Sequence, residues 1–372
     1  MNLGIIGCGN ISSTYLENFT KVFHNIKITA VVDQNIEAAR RQAKEFEVEN
    51  ICETNEELMT RPDVDIVLIL TNPASHSVLL KQALLAGKHA YCEKPFALSL
   101  EEAREVLDIA RKRNLYVGCA PDTMLGHGIQ TCKKIVEDNW IGKTISIQFN
   151  VSYFGPDAWH PNPAFLYHKG AGPLLDIGPY YIACLTYLLG PISQVSSFTS
   201  ITYPERTVLS RERHGEKIKV EVPTSISGIM KFENGTLGSM NISFDGASSE
   251  DPHIEIIGTE GTIIVPNPDT QKGDILFRKL NRSKRPGDME YPISVIPPVY
   301  NYYENCRGIG VSEMASSIQK SRPNRLNGDF AYHTLEVLLA FQNPSASGVT
   351  KIESSFKPLT AFPIGLQKGE VD

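Results

Sequence analysis

The stretch "GIIGCGNIS", Gly4 to Ser12, lies almost at the start of the 372-residue chain. Gly-x-Gly-x-x-small taken alone serves a plain tight turn as well as a nucleotide site, so its context has to separate the two. Leu3-Gly4-Ile5-Ile6 is a short apolar run suited to a buried parallel strand, and Ile11 to Phe19 reads as a helix. The turn therefore leads from strand to helix. In that setting Gly7 permits the tight turn, Gly9 lets a pyrophosphate approach the backbone, Asn10 and Ile11 open the helix that faces it, and Ser12 stands in for a third small residue. A second apolar run, "ITAVVD", Ile28 to Asp33, ends in an acid 24 residues beyond Gly9, near the spacing of a ribose-binding carboxylate. Asp33 can accept hydrogen bonds from an adenosine ribose and repels a 2′-phosphate. NAD is favoured over NADP, with Arg40 and Arg41 near enough in sequence to keep the second in view.

Length and charge bound the rest. A chain of this size, 41% hydrophobic, is comfortable as two domains. A formal charge of −6 with scattered basic residues leaves no footprint for nucleic acid or an anionic membrane, and points to a small-molecule partner. The N-terminus runs directly into the first strand and no apolar run is long enough to span a bilayer, so a cytoplasmic enzyme is expected. Seven widely spaced cysteines without a Cys-x-x-Cys pair suggest buried thiols, neither a disulfide framework nor a zinc site, and no metal is expected.

Strand and helix alternate to about residue 120: helices at Glu37 to Glu47, Ser75 to Ala86 and Leu100 to Arg113, strands at Asp65 to Leu70, Ala90 to Cys92 and Tyr116 to Cys119. This is the pattern of a doubly wound parallel sheet. After a helix at Gly128 to Glu137 the pattern changes to alternating stretches. "TISIQFNVSYF", then "SISGIMKFENGTLGSMNISF" with Asn234-Gly235 as a two-residue turn, and "IEIIGTEGTIIVP" read as antiparallel hairpins. Apolar helices are expected at Gly178 to Leu189 and Asp329 to Gln342, and long loops in the proline-bearing segment Pro266 to Pro298. The expected architecture is α/β: a Rossmann domain over residues 1–121, and over 122–372 a C-terminal α+β domain with a large, mainly antiparallel open sheet.

Chemistry concentrates in two segments. "YCEKPFA", Tyr91 to Ala97, follows a parallel strand at the carboxyl end, where open sheets of this kind bind ligands. Lys94 is there either a functional ammonium or an ordinary solvated loop lysine. In "GAGPLLDIGPYY", Gly170 to Tyr181, a glycine-rich turn feeds Asp176 and a helix carrying Tyr180 and Tyr181. If the chain is already helical at Asp176, its carboxylate and the Tyr180 phenol share a face; otherwise Asp176 caps the helix, and Tyr181 fills core.

Oxidising a secondary alcohol sends hydride to a nicotinamide and the hydroxyl proton to a base. A free phenol, with a reference pKa of about 10, is a poor base unless positive charge stabilises the phenolate. Lys94 can supply that charge, which makes Lys94 and Tyr180 the acid/base pair and Asp176 the group that orients the hydroxyl or the lysine or takes the proton itself. Thr71, Asn72 and Pro73 directly follow a strand on the adenine and pyrophosphate side, and Glu93 can hold the nicotinamide ribose. In "AWHPNPAFLYHKG", Ala158 to Gly170, Trp159 and Tyr167 offer rings to the apolar face of a pyranose, and His160 and Lys169 hydrogen bonds to hydroxyls; ordinary packing is the alternative, above all for Phe165. Asp122 and Thr123, immediately after the last parallel strand, are placed to face the cleft, with Asp122 as a substrate-binding residue; His333 on the late helix is a weaker candidate that can equally be a buried histidine, and Arg307 binds either a substrate anion or a loop carboxylate.

Gly7-x-Gly9, Asp33, "TNPASH" from Thr71 to His76, Glu93-Lys94-Pro95, and Gly170-x-Gly172 through Asp176-x-Gly178-x-Tyr180 occur in one order. Together they resemble the Gfo/Idh/MocA oxidoreductase family across nearly the whole chain. The resemblance implies a sugar, glycoside or cyclitol dehydrogenase using NAD, with a C-terminal sheet that supports dimers or tetramers and His76 near the cofactor or in a packing role. Many members carry histidine where this chain has Tyr180. Two other functions stay open: an NAD-dependent glycoside hydrolase or lyase acting through transient oxidation, and a non-catalytic cofactor-sensing regulator, against which the Lys94, Asp176 and Tyr180 set argues.

Overall fold

Apolar runs ending in turn residues build the first half of the chain. Its elements are β1 (Asn2–Ile6), α1 (Asn10–Lys21), β2 (Lys27–Val32), α2 (Ile36–Glu45), β3 (Asn50–Ile51), α3 (Asn55–Thr60), β4 (Ile66–Ile69), α4 (Pro73–Leu85), β5 (His89–Cys92), α5 (Leu100–Arg113) and β6 (Val117–Cys119). The strands pair in parallel in the order β3-β2-β1-β4-β5-β6, so the strand order reverses between β1 and β4. At such a reversal the carboxyl ends of the strands open a crevice for ligands. The helices start where short polar side chains satisfy backbone N–H groups: Asn35 caps α2, Thr54 caps α3 and Ser99 caps α5. Both faces of the sheet are covered, and Leu3, Ile5, Val31, Ile66, Val67, Leu68 and Tyr91 are wholly buried.

The computed structural model describes residues 1–247, 253–280, 292–300 and 306–372. They fall into two units, one of Met1–His127, Tyr300–Leu335 and Phe362–Asp372, the other of Gly128–Val299 and Glu336–Ala361. The remaining elements, in chain order, are α6 (His127–Glu137), β7 (Thr144–Ser152), α7 (Pro173–Asp176), α8 (Gly178–Leu189), β8 (Ile192–Ser200), β9 (Glu205–Thr207), β10 (Lys217–Lys219), β11 (Ser225–Phe232), β12 (Leu237–Ser243), β13 (His253–Gly258), β14 (Gly261–Val265), β15 (Ile275–Lys279), β16 (Ile293–Ile296), α9 (Ile309–Gln319), α10 (Gly328–Gln342) and β17 (Thr350–Lys351). Within the first unit α9 packs against β6.

The second unit is built on a sheet with the order β16-β15-β14-β13-β7-β12-β11-β8-β17, antiparallel throughout except where β7 runs parallel to β12. Alternation gives the strands one buried face: Ile147, Phe149, Met230, Met240, Ile254 and Ile263 point inward. Tyr181 of α8 stacks on Phe149 with ring centroids 5.3 Å apart, and Gly228 in β11 leaves the room that the Phe341 ring of α10 occupies. On the opposite face Phe198 and Ile229 stay largely exposed.

Three expectations change. The segment Pro266 to Pro298 carries two strands, β15 and β16, in a place read as loops; its residues 281–291 lie outside the described ones. "ILFRK" is short and flanked by Gly273 and Asp274, so its pairing depends on β14 more than on its own pattern. The β11–β12 hairpin turns through Glu233, Asn234 and Gly235. Gly235 N donates to Phe232 O at 3.0 Å and Gly235 has φ +90°, which is a three-residue loop ending in a left-handed glycine. Lastly, "TISIQFNVSYF" is not one arm of a local hairpin but an interior strand between β13 and β12.

Candidate active site

The glycine turn comes first. Gly7 N donates to Val32 O at 2.9 Å and Gly7 has φ +101°; a Cβ there would lie 2.6 Å from Leu70 O, at the end of the β4 run. Gly9 precedes α1, and a Cβ on it would meet nothing within 4 Å. No side-chain hydrogen bond caps α1, so the opening of the helix lies beside that space without a side chain across it. Asp33 stands at the tip of β2 with one carboxylate oxygen accepting Cys8 N at 2.7 Å and the other accepting Asn35 N at 2.7 Å. The acid is thereby held beside the turn, and Arg40 is paired with Glu37 at 2.6 Å. A pyrophosphate over Gly9 with an adenosine ribose against Asp33 fits this arrangement.

Next to it, Thr71 Oγ1 lies 2.7 Å from Ser75 Oγ, and Asn72 and Pro73 start α4. His76 is fully buried, its Nδ1 2.8 Å from Pro95 O and its Nε2 3.0 Å from Thr71 O. Burial holds its pKa below the ordinary histidine value, against the pull of these two carbonyls. Its ring thus ties the loop after β4 to the Glu93-Lys94-Pro95 loop. Glu93 continues the β5 ladder, its N–H donating to Ile69 O at 2.9 Å. Its side chain accepts Tyr15 Oη at 2.8 Å through one oxygen and Lys94 N at 3.0 Å through the other.

Asp122 is fully buried, and one of its oxygens accepts Gly308 N at 2.7 Å and Gly310 N at 3.1 Å at the start of α9. It serves there as a tie between β6 and α9. Burial pushes its pKa up to about 6, with the Arg307 charge and the two N–H donors pulling it down. An unfolded aspartate titrates near ~4. The folded chain therefore keeps a proton that the unfolded chain has released, and this contribution to stability, full below about 4, is lost as pH rises through about 6. At 1.36 kcal/mol per unit the loss is about 3 kcal/mol. In urea melts across that window, wild type is expected to lose this increment and Asp122→Asn to show no such slope. Equal slopes in both proteins would contradict it.

In the second unit Asp176 closes α7 and Tyr180 lies in the first turn of α8. Ile177 between them has φ −100° and ψ −36°, so the run is helical across the junction and the i,i+4 spacing puts carboxylate and phenol on one face. Tyr180 is 7% exposed. Tyr153 lies close to Asp176, and burial together with that carboxylate raises its phenol well above the usual value. Tyr181 is core. Trp159 is 62% exposed; its ring meets His160 edge-on at 5.4 Å, and His160 meets Phe165 at 5.5 Å. Lys169 is exposed.

Tyr167 is placed otherwise than a sugar platform would be. It is fully buried with Val208, Ile218, Val220 and Phe244, its hydroxyl donates to Asp157, and the Arg206 guanidinium lies 5.6 Å from its ring centroid. His333 is likewise buried, and Thr123 is buried in a short turn. Among the described residues no cluster of three or more histidine, cysteine, aspartate or glutamate side chains is arranged to hold a metal ion. All seven cysteines are buried free thiols. Tyr15 carries no motif; its one signal in the sequence is a phenol on the buried face of the first helix.

Residues 1–120 match the profile "Oxidoreductase family, NAD-binding Rossmann fold", and residues 129–264 match "GFO/IDH/MocA C-terminal domain". A levoglucosan dehydrogenase of Pseudarthrobacter phenanthrenivorans is 29% identical over 250 residues, spanning 63% of either protein, a little under two thirds of that relative's length. A myo-inositol 2-dehydrogenase of Thermotoga maritima is 25% identical over 72% of this chain and 75% of its own. An NAD binding oxidoreductase from Klebsiella pneumoniae has the same fold, with a TM-score of 0.82 at 20% identity over 95% of this chain and 100% of that one. A levoglucosan dehydrogenase solved with NADH and L-sorbose superposes with a TM-score of 0.80 at 22% identity, covering 95% and 99%.

Proposed function

Because the chain belongs to the GFO/IDH/MocA family of NAD-binding oxidoreductases, we propose that it is a dehydrogenase moving a hydride between the nicotinamide and a secondary hydroxyl of a sugar, glycoside or cyclitol. The observation that carries this reading is the anchored Asp33 beside an uncapped α1, at the same edge of the sheet as Glu93-Lys94. Residues 1–121 bind the dinucleotide and residues 122–372 supply the substrate-binding part. Bound NAD provides the hydride acceptor. Gly7, Gly9, Asn10 and Ile11 receive its pyrophosphate, Asp33 its adenosine ribose, Thr71, Asn72 and Pro73 border it, and Glu93 takes the other ribose. Lys94 steadies the negative charge that develops on the reacting oxygen, Tyr180 accepts its proton, and Asp176 orients the hydroxyl. Trp159, His160 and Lys169 hold the ring, an apolar face and hydrogen bonds being what a sugar requires.

The test mixes the purified protein with NAD or NADP and a panel of aldoses, glycosides, uronates and cyclitols, reading reduced-nicotinamide absorbance and product mass together. Absorbance rising with one class and a product lighter by two hydrogens is expected. Cleaved glycoside without reduced cofactor would replace this reading with the redox-cycling hydrolase or lyase. Neither signal, with tight NADH binding, would replace it with a regulator.

Removing the like charge at Asp33 should narrow the preference for NAD. Asp33→Ala forfeits charge-assisted hydrogen bonds of about 1.5–3 kcal/mol to the ribose while lifting repulsion of a 2′-phosphate. The ratio of NADPH to NADH dissociation constants is expected to fall by at least about tenfold. An unchanged ratio would remove Asp33 from the ribose.

The exposed face of the large sheet, with Phe198 and Ile229 on β8 and β11, fits a second copy of the chain. Light scattering after gel filtration is expected to give a homodimer or homotetramer that Phe198→Asp with Ile229→Asp dissociates. A wild-type monomer at micromolar concentration would refute it. Seven free thiols suit the reducing cytoplasm as the place of work.

A further inference from the structure

The buried phenol of Tyr15 connects two parts of the first unit that the sequence keeps far apart. Tyr15 lies on the inner face of α1, the helix that the glycine turn opens into, and its ring is completely buried. Its hydroxyl donates to Glu93 Oε1 at 2.8 Å across 78 residues of chain, while Glu93 Oε2 accepts Lys94 N at 3.0 Å. Both oxygens of a carboxylate that is itself only 7% exposed are therefore engaged. A carboxylate so removed from water keeps its orientation where donors meet both its oxygens. Around the pair, Phe19 leans on Tyr15 at 6.1 Å, and the Gly308 turn approaches both rings so closely that a Cβ on it would meet Phe19 at 2.9 Å and Tyr15 at 3.5 Å. That turn is the one whose N–H groups bind Asp122. The ring that carries the hydroxyl is thus held by Phe19 and by the Gly308 turn. The hydroxyl also stays protonated: burial, followed by the negative charges of Glu93 and Asp122, lifts its pKa well above the usual phenol value.

We infer that Tyr15 is a positioning residue for the reaction: it fixes the Glu93-Lys94 pair to α1, so that the helix receiving the pyrophosphate also sets the carboxylate and the lysine at the nicotinamide end. This rests on the assignment of Glu93 to the nicotinamide ribose and Lys94 to the reacting oxygen. Tyr15 touches neither cofactor nor substrate in this scheme; it acts through Glu93. Losing the hydroxyl leaves one oxygen of a buried carboxylate without its donor, and Glu93 is then free to rotate. That rotation misplaces the ribose contact and the backbone from which Lys94 projects.

Tyr15→Phe keeps the ring and its packing and deletes the hydroxyl alone. NADH affinity measured by the fluorescence of the bound nicotinamide is expected to fall by about tenfold or more, the loss typical of a hydrogen bond to a charged group. The same substitution placed in a Glu93→Ala protein is expected to change NADH affinity by less than about twofold, because the two variants remove one shared interaction. Should Glu93→Ala fail to fold, Glu93→Gln provides the second background, where the Tyr15→Phe loss is expected to shrink because a neutral amide is a weaker acceptor. For a substrate identified by turnover, kcat should fall at least about fivefold with the sugar KM unchanged, a split that loosened packing does not produce. Wild-type NADH affinity in Tyr15→Phe, or an undiminished loss in either Glu93 background, would overturn the inference. NADH binding can be read without turnover, so a protein that binds NADH yet oxidises no sugar would refute the proposed activity and still decide the role of Tyr15.

Discussion

Replacing Lys94 by methionine is expected to lower kcat by about a thousandfold or more while leaving NADH affinity within about threefold. The substitution keeps the length and apolar stem of the side chain and removes its charge. An alkoxide forming as a hydride departs is stabilised by a fixed ammonium in a site poor in water, where such an interaction is worth several kcal/mol. Position is what makes the lysine suited to this. It follows β5 at the carboxyl edge of the parallel sheet, its N–H is held by Glu93 Oε2 at 3.0 Å, and the next carbonyl along, that of Pro95, lies 2.8 Å from the buried ring of His76. The loop is therefore built from both sides, and methionine changes its chemistry without releasing its backbone. Steady-state turnover and NADH titration of the same preparation check both halves. A kcat within about tenfold of wild type would take Lys94 out of the reaction.

Tyr180→Phe is the second large effect, a loss in kcat of about a hundredfold to ten-thousandfold, the range of a general base. A phenol titrates near ~10 in water, so as a base at neutral pH it depends on positive charge to hold the phenolate. The distinctive outcome lies in the pH profile. Wild-type kcat/KM should rise with pH along a limb that Tyr180→Phe abolishes, whereas Asp176→Asn, if Asp176 only orients the hydroxyl, should lower the whole profile and keep that limb. If the two variants exchange these behaviours, Asp176 takes the proton and Tyr180 is the supporting group. If neither variant alters turnover, the helix junction at Ile177 has no part in catalysis.

What was legible in the sequence followed the range of the interactions. Gly7, Gly9 and Asp33 belong to two consecutive strands and one turn, and local spacing places them; the structure then adds the Cys8 and Asn35 N–H bonds that anchor the acid. Asp176 and Tyr180 could be read as one helical face because four residues of helix are a local matter. Tyr15 and Glu93 are 78 residues apart, and Asp122 reaches Gly308 over 186, so neither contact leaves a pattern in any short window. Tyr167 misled for a related reason: beside His168 and Lys169 it resembles a surface aromatic, but its hydroxyl finds Asp157 and its ring finds Phe244, and the pair make burial favourable. The same limit explains the sheet. Alternation disclosed that "TISIQFNVSYF" is a strand, while its parallel partner β12 lies about ninety residues on and is chosen by the packing of the whole layer.

In the proposed reaction hydride leaves a ring carbon for the nicotinamide. For the substrate class identified by turnover, the most direct measurement uses that sugar with deuterium on the carbon to be oxidised, incubated with the protein and NAD, and locates the label by mass. Deuterium is expected in the reduced nicotinamide in equal amount to the keto product, together with slower turnover than the unlabelled sugar gives, and with transfer slowed about a thousandfold or more in Lys94→Met. Product carrying no keto group, or label released to water while NAD stays oxidised at the end, would contradict it.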